Sequence, residues 1–194
     1  MTVYWSGNDP YCWPNTTTLR NRLNITASIK LQSVESDLVR ARADLGLPAG
    51  RFSLTHYRSC HKWLFGDVYA WAGNYRSVRL TKVESVFCFP EFIDCQMRAL
   101  FLGLKQTNFL CQKDPVEFVQ RAAHFWSEIN AIHPFREGNG RTQTLFLAQM
   151  ALDGGWFLDL TRLLPEPTIA AMTASFKTGN GKPLEPLIEG LIRP

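Results

Sequence analysis

The chain has 194 residues, of which 45% are hydrophobic and 20% charged, and this composition is typical of one globular domain with a sizeable core. Its 21 Lys and Arg against 17 Asp and Glu give a net charge of +4, too small an excess to argue for direct binding of nucleic acid. No apolar run is long enough to cross a bilayer, and the N-terminus has neither the basic nor the apolar region of a cleaved signal. We therefore expect a single domain over residues 1–194, without a membrane span, in the cytoplasm.

The cysteines also indicate a reducing compartment. There are five, an odd number without a C-x-x-C pair, so neither a disulfide framework nor a structural zinc site is expected. Cys60 and His61, with His56 nearby, could indicate a metal site, but no second cluster has the spacing of zinc ligands. A buried thiol and polar helix residues are the better interpretation of this stretch.

The first predicted element is an irregular arm over residues 1–16, which is rich in Gly, Pro, Asn and aromatic residues. Apolar spacings near three and four predict a helix over residues 17–45, which Gly46 ends. A second helix is predicted over residues 53–71, with Ser53 as its N-cap. Strand-forming residues then predict an isolated β-hairpin over residues 75–90.

The remaining elements are helices. One is predicted over residues 90–104, and Asp114-Pro115-x-Glu117 begins the next with an N-cap, a first-turn Pro and a capping-box Glu. The apolar stripe that follows, through Ile132, predicts a centrally buried helix. Further helices are predicted over residues 139–152, 165–176 and 183–192. The fold class is therefore all-α with one β-hairpin.

The segment 132–144, which reads IHPFREGNGRTQT, is the candidate functional site. His133 lies where a helix must end, because a residue before Pro is disfavoured in the α region. Gly138, Asn139 and Gly140 then form a turn into the start of a helix, whose unpaired N–H groups and dipole favour anions. This turn is a candidate phosphate site.

Three charged or titratable side chains surround that turn. Arg141 is unfavourable in the first turn of a helix unless an anion binds there. Glu137 would repel a phosphate unless a cation such as Mg²⁺ lies between them, and His133 can accept a proton near neutral pH. Each feature alone is more often structural. Together they predict phosphoryl or nucleotidyl transfer to a nucleophile that must lose a proton.

This segment resembles the signature of the Fic family, H-x-F-x-[DE]-G-N-G-R-x-x-R. The matching residues are His133, Phe135, Glu137, Gly138, Asn139, Gly140 and Arg141. Residues 64–76 resemble the family's helix end before its hairpin, residues 82–93 its flap, and residues 10–23 the start of stand-alone Fic toxins. The resemblance implies a helical bundle of the Fic fold, with a β-hairpin flap at about residues 77–90 over a catalytic motif at residues 133–144.

The resemblance implies a protein adenylyltransferase that transfers AMP from ATP, with Mg²⁺, to a Tyr, Ser or Thr hydroxyl of a target protein. His133 would be the base and Glu137 the Mg²⁺ ligand. The implied phosphate ligands are the amides of Gly138, Asn139 and Gly140, the Asn139 side chain, and Arg141 for the β-phosphate. The flap, with Lys82 and Val83 at the nucleotide site, would align the target backbone by strand addition.

Thr144 departs from the signature, which ends in an Arg that contacts the γ-phosphate. Loss of such a bond removes about 1.5–3 kcal/mol, roughly ten- to a hundredfold in rate. Three alternatives stay open: a weakened adenylyltransferase, a Fic transferase of another phosphate-containing group, and a catalytically weak Fic-fold binding module. Val83 stands where the family often has Gly, and it would stiffen the flap.

The family's inhibitory pattern, [ST]-x-x-x-E-[GN], has no match here, since Glu185 precedes Glu189 and Gly190 where Ser or Thr is required. The resemblance then implies a toxin whose inhibitory Glu helix comes from a separate small antitoxin. A glutamate of this same chain bound to Arg141 would contradict that class. For adenine, Gln149 and Trp156 are candidate contacts, although core packing is the better interpretation of Trp156.

Overall fold

The computed structural model of the chain describes residues 9–82, 85–111 and 114–193. Within these ranges there are seven α-helices: α1 Ser28–Asp44, α2 Leu54–Phe65, α3 Pro90–Gln106, α4 Pro115–Ile132, α5 Asn139–Asp153, α6 Pro165–Thr178 and α7 Glu185–Leu191. Two antiparallel pairs of short strands complete it: β1 Thr81–Lys82 with β2 Ser85–Val86, and β3 Phe157–Leu158 with β4 Ile192–Arg193. The predicted helical bundle with a hairpin is confirmed, and the second small sheet was not predicted.

Helix α4 is the centre of the bundle. It begins as predicted, with Pro115 in its first turn and the Asp114 carboxylate accepting the Glu117 N–H at 2.9 Å. Its inward positions are almost fully buried, among them Phe118 and Trp126, and it packs against α3, α5, α6 and α7. The C-terminal end of α4 is therefore a rigid support for the segment that follows.

The first predicted helix begins later than expected. Residues 17–27 are irregular, and α1 covers only Ser28–Asp44. The Asn21 side chain makes four hydrogen bonds to nearby backbone groups, an arrangement that competes with helix formation. Asn24 has a φ of 54°, outside the range of a right-handed helix. These two asparagines explain why the apolar spacing alone was misleading.

Helix α2 begins as predicted but ends earlier. The Ser53 hydroxyl accepts the His56 N–H at 3.2 Å, and the helix ends before Gly66 rather than near residue 71. Gly66 ends the regular hydrogen bonding of the helix, and the chain continues in turns as far as Gly73. Gly73 itself has a φ of 83°, which a helix does not allow. The shorter helix leaves Tyr69 and Trp71 stacked on each other, with ring centroids 4.5 Å apart.

The N-terminal arm packs onto α1 and α2 and reaches the loop that follows α4. Its described part is irregular, and the first eight residues of the predicted arm lie outside the described ranges. Asp9 forms an almost fully buried ion pair with Arg136 at 2.7 Å, which links the arm to the motif loop. None of the helices in the described ranges is long and apolar enough to cross a membrane.

Candidate active site

His133 lies at the C-terminal end of α4 in a left-handed conformation, with φ 49° and ψ 62°. Its ring is stacked on Phe87 of the flap, with centroids 3.9 Å apart and planes 17° apart. Nδ1 lies 3.3 Å from the Asn130 carbonyl oxygen, which assigns the proton to Nδ1 and makes Nε2 the basic nitrogen. The half-exposed imidazole is thus oriented from two sides.

Arg76 joins this end of α4 to the flap. The side chain is 2% exposed, and its Nε donates to the His133 carbonyl at 2.8 Å and its Nη2 to that of Ile132 at 3.2 Å. Nη1 and Nη2 also donate to the carbonyls of Val78, at 2.7 Å, and Cys88, at 2.6 Å, on the two sides of the hairpin. Carbonyls at a helix C-terminus need such donors and favour a cation. Arg76 lies at the end of the stretch 64–76 that resembles the family, but the resemblance assigned no role to it.

The turn before α5 leaves three amides open. Gly138 has a φ of 80°, and a Cβ there would lie 2.4 Å from the Phe65 ring, so only glycine fits. The N–H groups of Asn139, Gly140 and Arg141 make no hydrogen bond to any residue in the described ranges. Because the first amides of a helix have no partner within it, these three are available to an anion, and the anion site itself stays a prediction.

The Asn139 side chain is bonded within the loop. It is 2% exposed, its Oδ1 accepts the Phe135 N–H at 2.9 Å, and its Nδ2 donates to the Phe135 carbonyl at 2.8 Å. The loop buries Phe135 completely, so the backbone groups of that residue need a partner. Asn139 thus offers its backbone amide to an anion and closes the loop with its side chain, and a phosphate contact by that side chain stays a prediction.

His61 supports the loop from beneath. Its Nδ1 accepts the Gly73 N–H at 2.8 Å, so Nε2 carries the proton that it donates to the Glu137 carbonyl at 3.0 Å. The ring stacks on Phe135, with centroids 3.7 Å apart. Complete burial lowers the pKa of His61 to about 3, so the ring is neutral. Within the described ranges no group of three His, Cys, Asp or Glu side chains could hold a metal, and Cys60 is a buried free thiol.

The Glu137 carboxylate lies at the start of α5. Its Oε1 accepts the Gly138 N–H at 3.1 Å and lies 3.7 Å from Nη2 of Arg141, and 31% of the side chain is exposed. A single carboxylate beside a phosphate site suits Mg²⁺, which takes its other ligands from phosphate oxygens and water. The donor set therefore fits the metal that the resemblance implies.

Arg141 has an acidic partner that the sequence interpretation missed. Its Nη2 lies 2.5 Å from Oε1 of Glu35 on α1, while the Tyr69 hydroxyl donates to the other Glu35 oxygen. The guanidinium also lies over Phe65, 4.7 Å from the ring centroid. A glutamate of this chain on Arg141 is the observation that counts against control by a separate antitoxin. Glu35 does not fit the inhibitory pattern, because Leu31 precedes it by four residues, where the pattern requires Ser or Thr.

The other predicted contacts are not brought to the turn. Trp156 stacks on Phe118 in the core, with centroids 4.8 Å apart, and Gln149 lies ten residues along α5, about 15 Å from the start of the helix. Thr144 is half-buried on the same helix. Of the two flap residues, Lys82 is described only as part of β1, and Val83 lies outside the described ranges.

Comparisons with known proteins show the family and the fold. A sequence profile of the Fic/DOC family matches residues 51–151. A protein of Sinorhizobium fredii named "Probable protein adenylyltransferase y4lH" is 42% identical over 193 residues, 99% of this chain and 100% of that protein. BepC, a VirB-translocated effector of Bartonella tribocorum solved with AMPPNP, has a TM-score of 0.86 at 25% identity, covering 95% of this chain and 97% of that one. The N-terminal Fic domain of a Bep effector from Bartonella quintana, solved with ADP, has a TM-score of 0.87 at 26% identity and covers 95% of each chain.

Proposed function

Because this chain belongs to the Fic/DOC family, we propose for it the activity named in its relatives: the transfer of AMP from ATP to a hydroxyl side chain of a protein. The chain is accordingly an enzyme, a nucleotidyltransferase. One observation carries the proposal: the open amides of Asn139, Gly140 and Arg141 lie at a helix start in the same short motif as an oriented imidazole. The nucleotides in the solved Fic domains, AMPPNP and ADP, support ATP as the substrate.

In the proposed reaction, Nε2 of His133 accepts the proton of the target hydroxyl as its oxygen attacks the α-phosphorus of ATP. An oxygen–phosphorus bond forms, the bond from the α-phosphorus to the bridging oxygen breaks, and pyrophosphate leaves. The amides and dipole at the start of α5 offset the charge that develops on the phosphates. Arg141 contacts the β-phosphate through a charge-assisted bond.

Glu137 would hold Mg²⁺, since its carboxylate lies beside the amide cradle. The ion would neutralise phosphate oxygens and orient the leaving pyrophosphate. The chain's own residues prepare this position without the metal: His61 holds the Glu137 carbonyl, and the Gly138 N–H holds the carboxylate.

The target protein would dock on the flap. Val86 and Phe89 are exposed there, and a cavity of about 530 Å³ adjoins the flap, lined in part by Phe92 and Glu128. An exposed hairpin beside a cavity suits an extended polypeptide that adds as a strand and inserts a side chain. The contributions of Lys82 and Val83 to nucleotide and target alignment stay predictions.

Incubation of the chain with lysate and ATP labelled at the α-phosphate tests the proposal. Label should enter protein, and the His133→Ala variant should lose it by about a hundredfold or more, because general bases contribute 10²–10⁴ in rate. ATP labelled at the γ-phosphate is the matched control, and the chain should add no label beyond what the kinases of the lysate alone transfer. Incorporation from a different nucleotide alone would favour the second candidate, a Fic transferase of another group, which Thr144 supports. Absence of transfer with every nucleotide, even after Thr144→Arg, would favour a binding module.

A cytoplasmic location is proposed from the five cysteines, all of which are free. Control by a small antitoxin is proposed only from the missing inhibitory pattern, and the Glu35 contact with Arg141 counts against it. Co-expression of candidate small proteins from the same operon, scored by relief of growth arrest, would test it.

A further inference from the structure

We propose that Glu35, together with Tyr69, is a positioning residue that holds Arg141 in the orientation that contacts the β-phosphate of the nucleotide. This inference rests on the proposed function, because nucleotide binding by Arg141 belongs to it. Its basis is a contact between helices α1 and α5, made by two residues, Glu35 and Arg141, that lie 106 positions apart in the sequence.

Glu35 is placed as a buried anchor. It is 7% exposed and lies between Leu31 and Val39 on the inward face of α1. One carboxylate oxygen accepts from Arg141 and the other from the Tyr69 hydroxyl, so both oxygens have donors. A buried carboxylate costs free energy unless it is paired and hydrogen-bonded. The pair therefore holds one arrangement of the guanidinium rather than several.

The contact leaves part of Arg141 available. Glu35 and Glu137 both face Nη2, at 2.5 and 3.7 Å, whereas Nε and Nη1 make no hydrogen bond to residues in the described ranges. Guanidinium groups have five N–H donors, so the remaining ones can meet a phosphate while Nη2 stays on Glu35. The Phe65 ring supports the group on its face, 4.7 Å away. An arginine held in this way loses less side-chain entropy when the nucleotide binds.

Arg141 has a larger share of the phosphate contacts here than it would have in a chain with the complete family signature. Thr144 takes the place of the second arginine, and the guanidinium of Arg136 is directed to Asp9 in a buried ion pair. Recognition of phosphate by an arginine of the motif therefore rests on Arg141. An unsupported Arg141 could lie against Glu137, 3.7 Å away, which is the carboxylate proposed for the metal.

The opposite role for Glu35 would be competition with phosphate for Arg141. The two roles predict opposite changes in ADP affinity when Glu35 is replaced. Isothermal titration of wild type, Glu35→Gln and Tyr69→Phe with ADP and with AMP separates them, because only ADP has a β-phosphate. Glu35→Gln should weaken ADP binding about tenfold, equivalent to about 1.4 kcal/mol, and leave AMP affinity within about twofold. Tyr69→Phe, which keeps the Glu35 carboxylate, should lower the ratio of ADP affinity to AMP affinity by a smaller factor.

Asp67→Asn is the matched control, since it removes a carboxylate from an ion pair with Arg42 of α1 outside the site. It should leave the ratio of ADP to AMP affinity unchanged. In an Arg141→Ala background, Glu35→Gln should cause no further loss of ADP affinity, as coupled residues are not additive. Melting temperatures check that every variant is folded before titration.

Several results would overturn the inference: tighter ADP binding by Glu35→Gln, equal losses for ADP and AMP, or an additive loss in the Arg141→Ala background. Each could occur while the wild type still binds ADP and transfers AMP, so the proposed function would stand. A wild-type chain that binds neither ADP nor ATP would instead refute the proposed function itself.

Discussion

Replacing Arg76 with lysine preserves the charge but removes the fork that joins the flap to His133. The arginine uses three nitrogens on four carbonyls, at 2.6–3.2 Å. A lysine has one nitrogen and cannot reach both sides of the hairpin and the end of α4 together, so at least two bonds are lost. Hydrogen bonds from a charged group contribute about 1.5–3 kcal/mol each, and partial relaxation leaves a loss of about 3 kcal/mol. The melting temperature should fall by roughly 6–12 °C for a chain of this size.

The effect of Arg76→Lys on activity should exceed the effect on nucleotide binding. A displacement of about 1 Å in the base or the flap costs on the order of a hundredfold in rate, whereas the amides of α5 lie outside the Arg76 contacts. AMP transfer to the target should therefore fall about a hundredfold, with ADP affinity changed less than about threefold. The assay is the initial rate of label transfer, paired with titration by ADP, at a temperature where both proteins are folded.

Arg58→Lys is the control, because Arg58 donates to the Gly73 carbonyl at 2.8 Å and contacts neither the flap nor His133 in the described part of the chain. It should retain most of the transfer rate. If Arg76→Lys melts at a lower temperature but transfers AMP within about threefold of wild type, the guanidinium only stabilises the fold. The argument that it positions the base and the flap would then be refuted.

Other predictions concern the turn, the buried imidazole and the last motif position. Gly138→Ala should abolish ADP binding and lower the melting temperature, because its φ is 80° and the new Cβ would meet Phe65; Gly140→Ala has open space and should fold normally. His61 has a folded pKa of about 3, so the unfolded chain binds more protons between that value and about 6.5. Stability to urea should fall as the pH drops through this window, by a few kcal/mol at most; His61→Gln should flatten the slope, and an equal slope in both proteins would contradict the assignment. Thr144→Arg should raise the affinity for ATP over that for ADP by about tenfold, and an unchanged ratio would exclude a γ-phosphate contact from this position.

Elements with local start signals were predictable. Asp114 caps α4, Ser53 caps α2, and Pro90 begins α3, each because a side chain or a fixed φ acts within one turn of the chain. The start of α1 was not predictable from apolar spacing, since Asn21 binds four backbone groups and prevents the helix from extending backwards. Capping side chains favour a helix and the hydrogen bonds of Asn21 oppose one, whereas apolar spacing reports only which face of a segment can be buried.

The candidate site likewise has one part that was predictable from the sequence and another that was not. The contiguous motif indicated an anion turn, a base and an acidic residue, because these properties belong to the residues themselves. Arg76, His61 and Glu35 reach the motif from other segments, and only the tertiary fold brings them together. Glu35 did have a signal: it interrupts the apolar positions Leu31 and Val39 at a spacing of four, and a charge on a buried stripe needs a partner.

The charges around Arg141 explain why a cation belongs in the proposed reaction. Two carboxylates, Glu35 and Glu137, face one guanidinium, so this cluster of the described residues has a formal charge of −1. A nucleotide phosphate would add further negative charge at the same place, and the amides of α5 supply only partial positive charge. Glu35 is buried and paired with Arg141 and the Tyr69 hydroxyl, whereas 31% of the Glu137 side chain is exposed, so Glu137 is the carboxylate of the two that a cation can reach. The buried carboxylate thus orients the arginine, and the exposed one would hold the cation, which would supply the positive charge that the arginine alone does not.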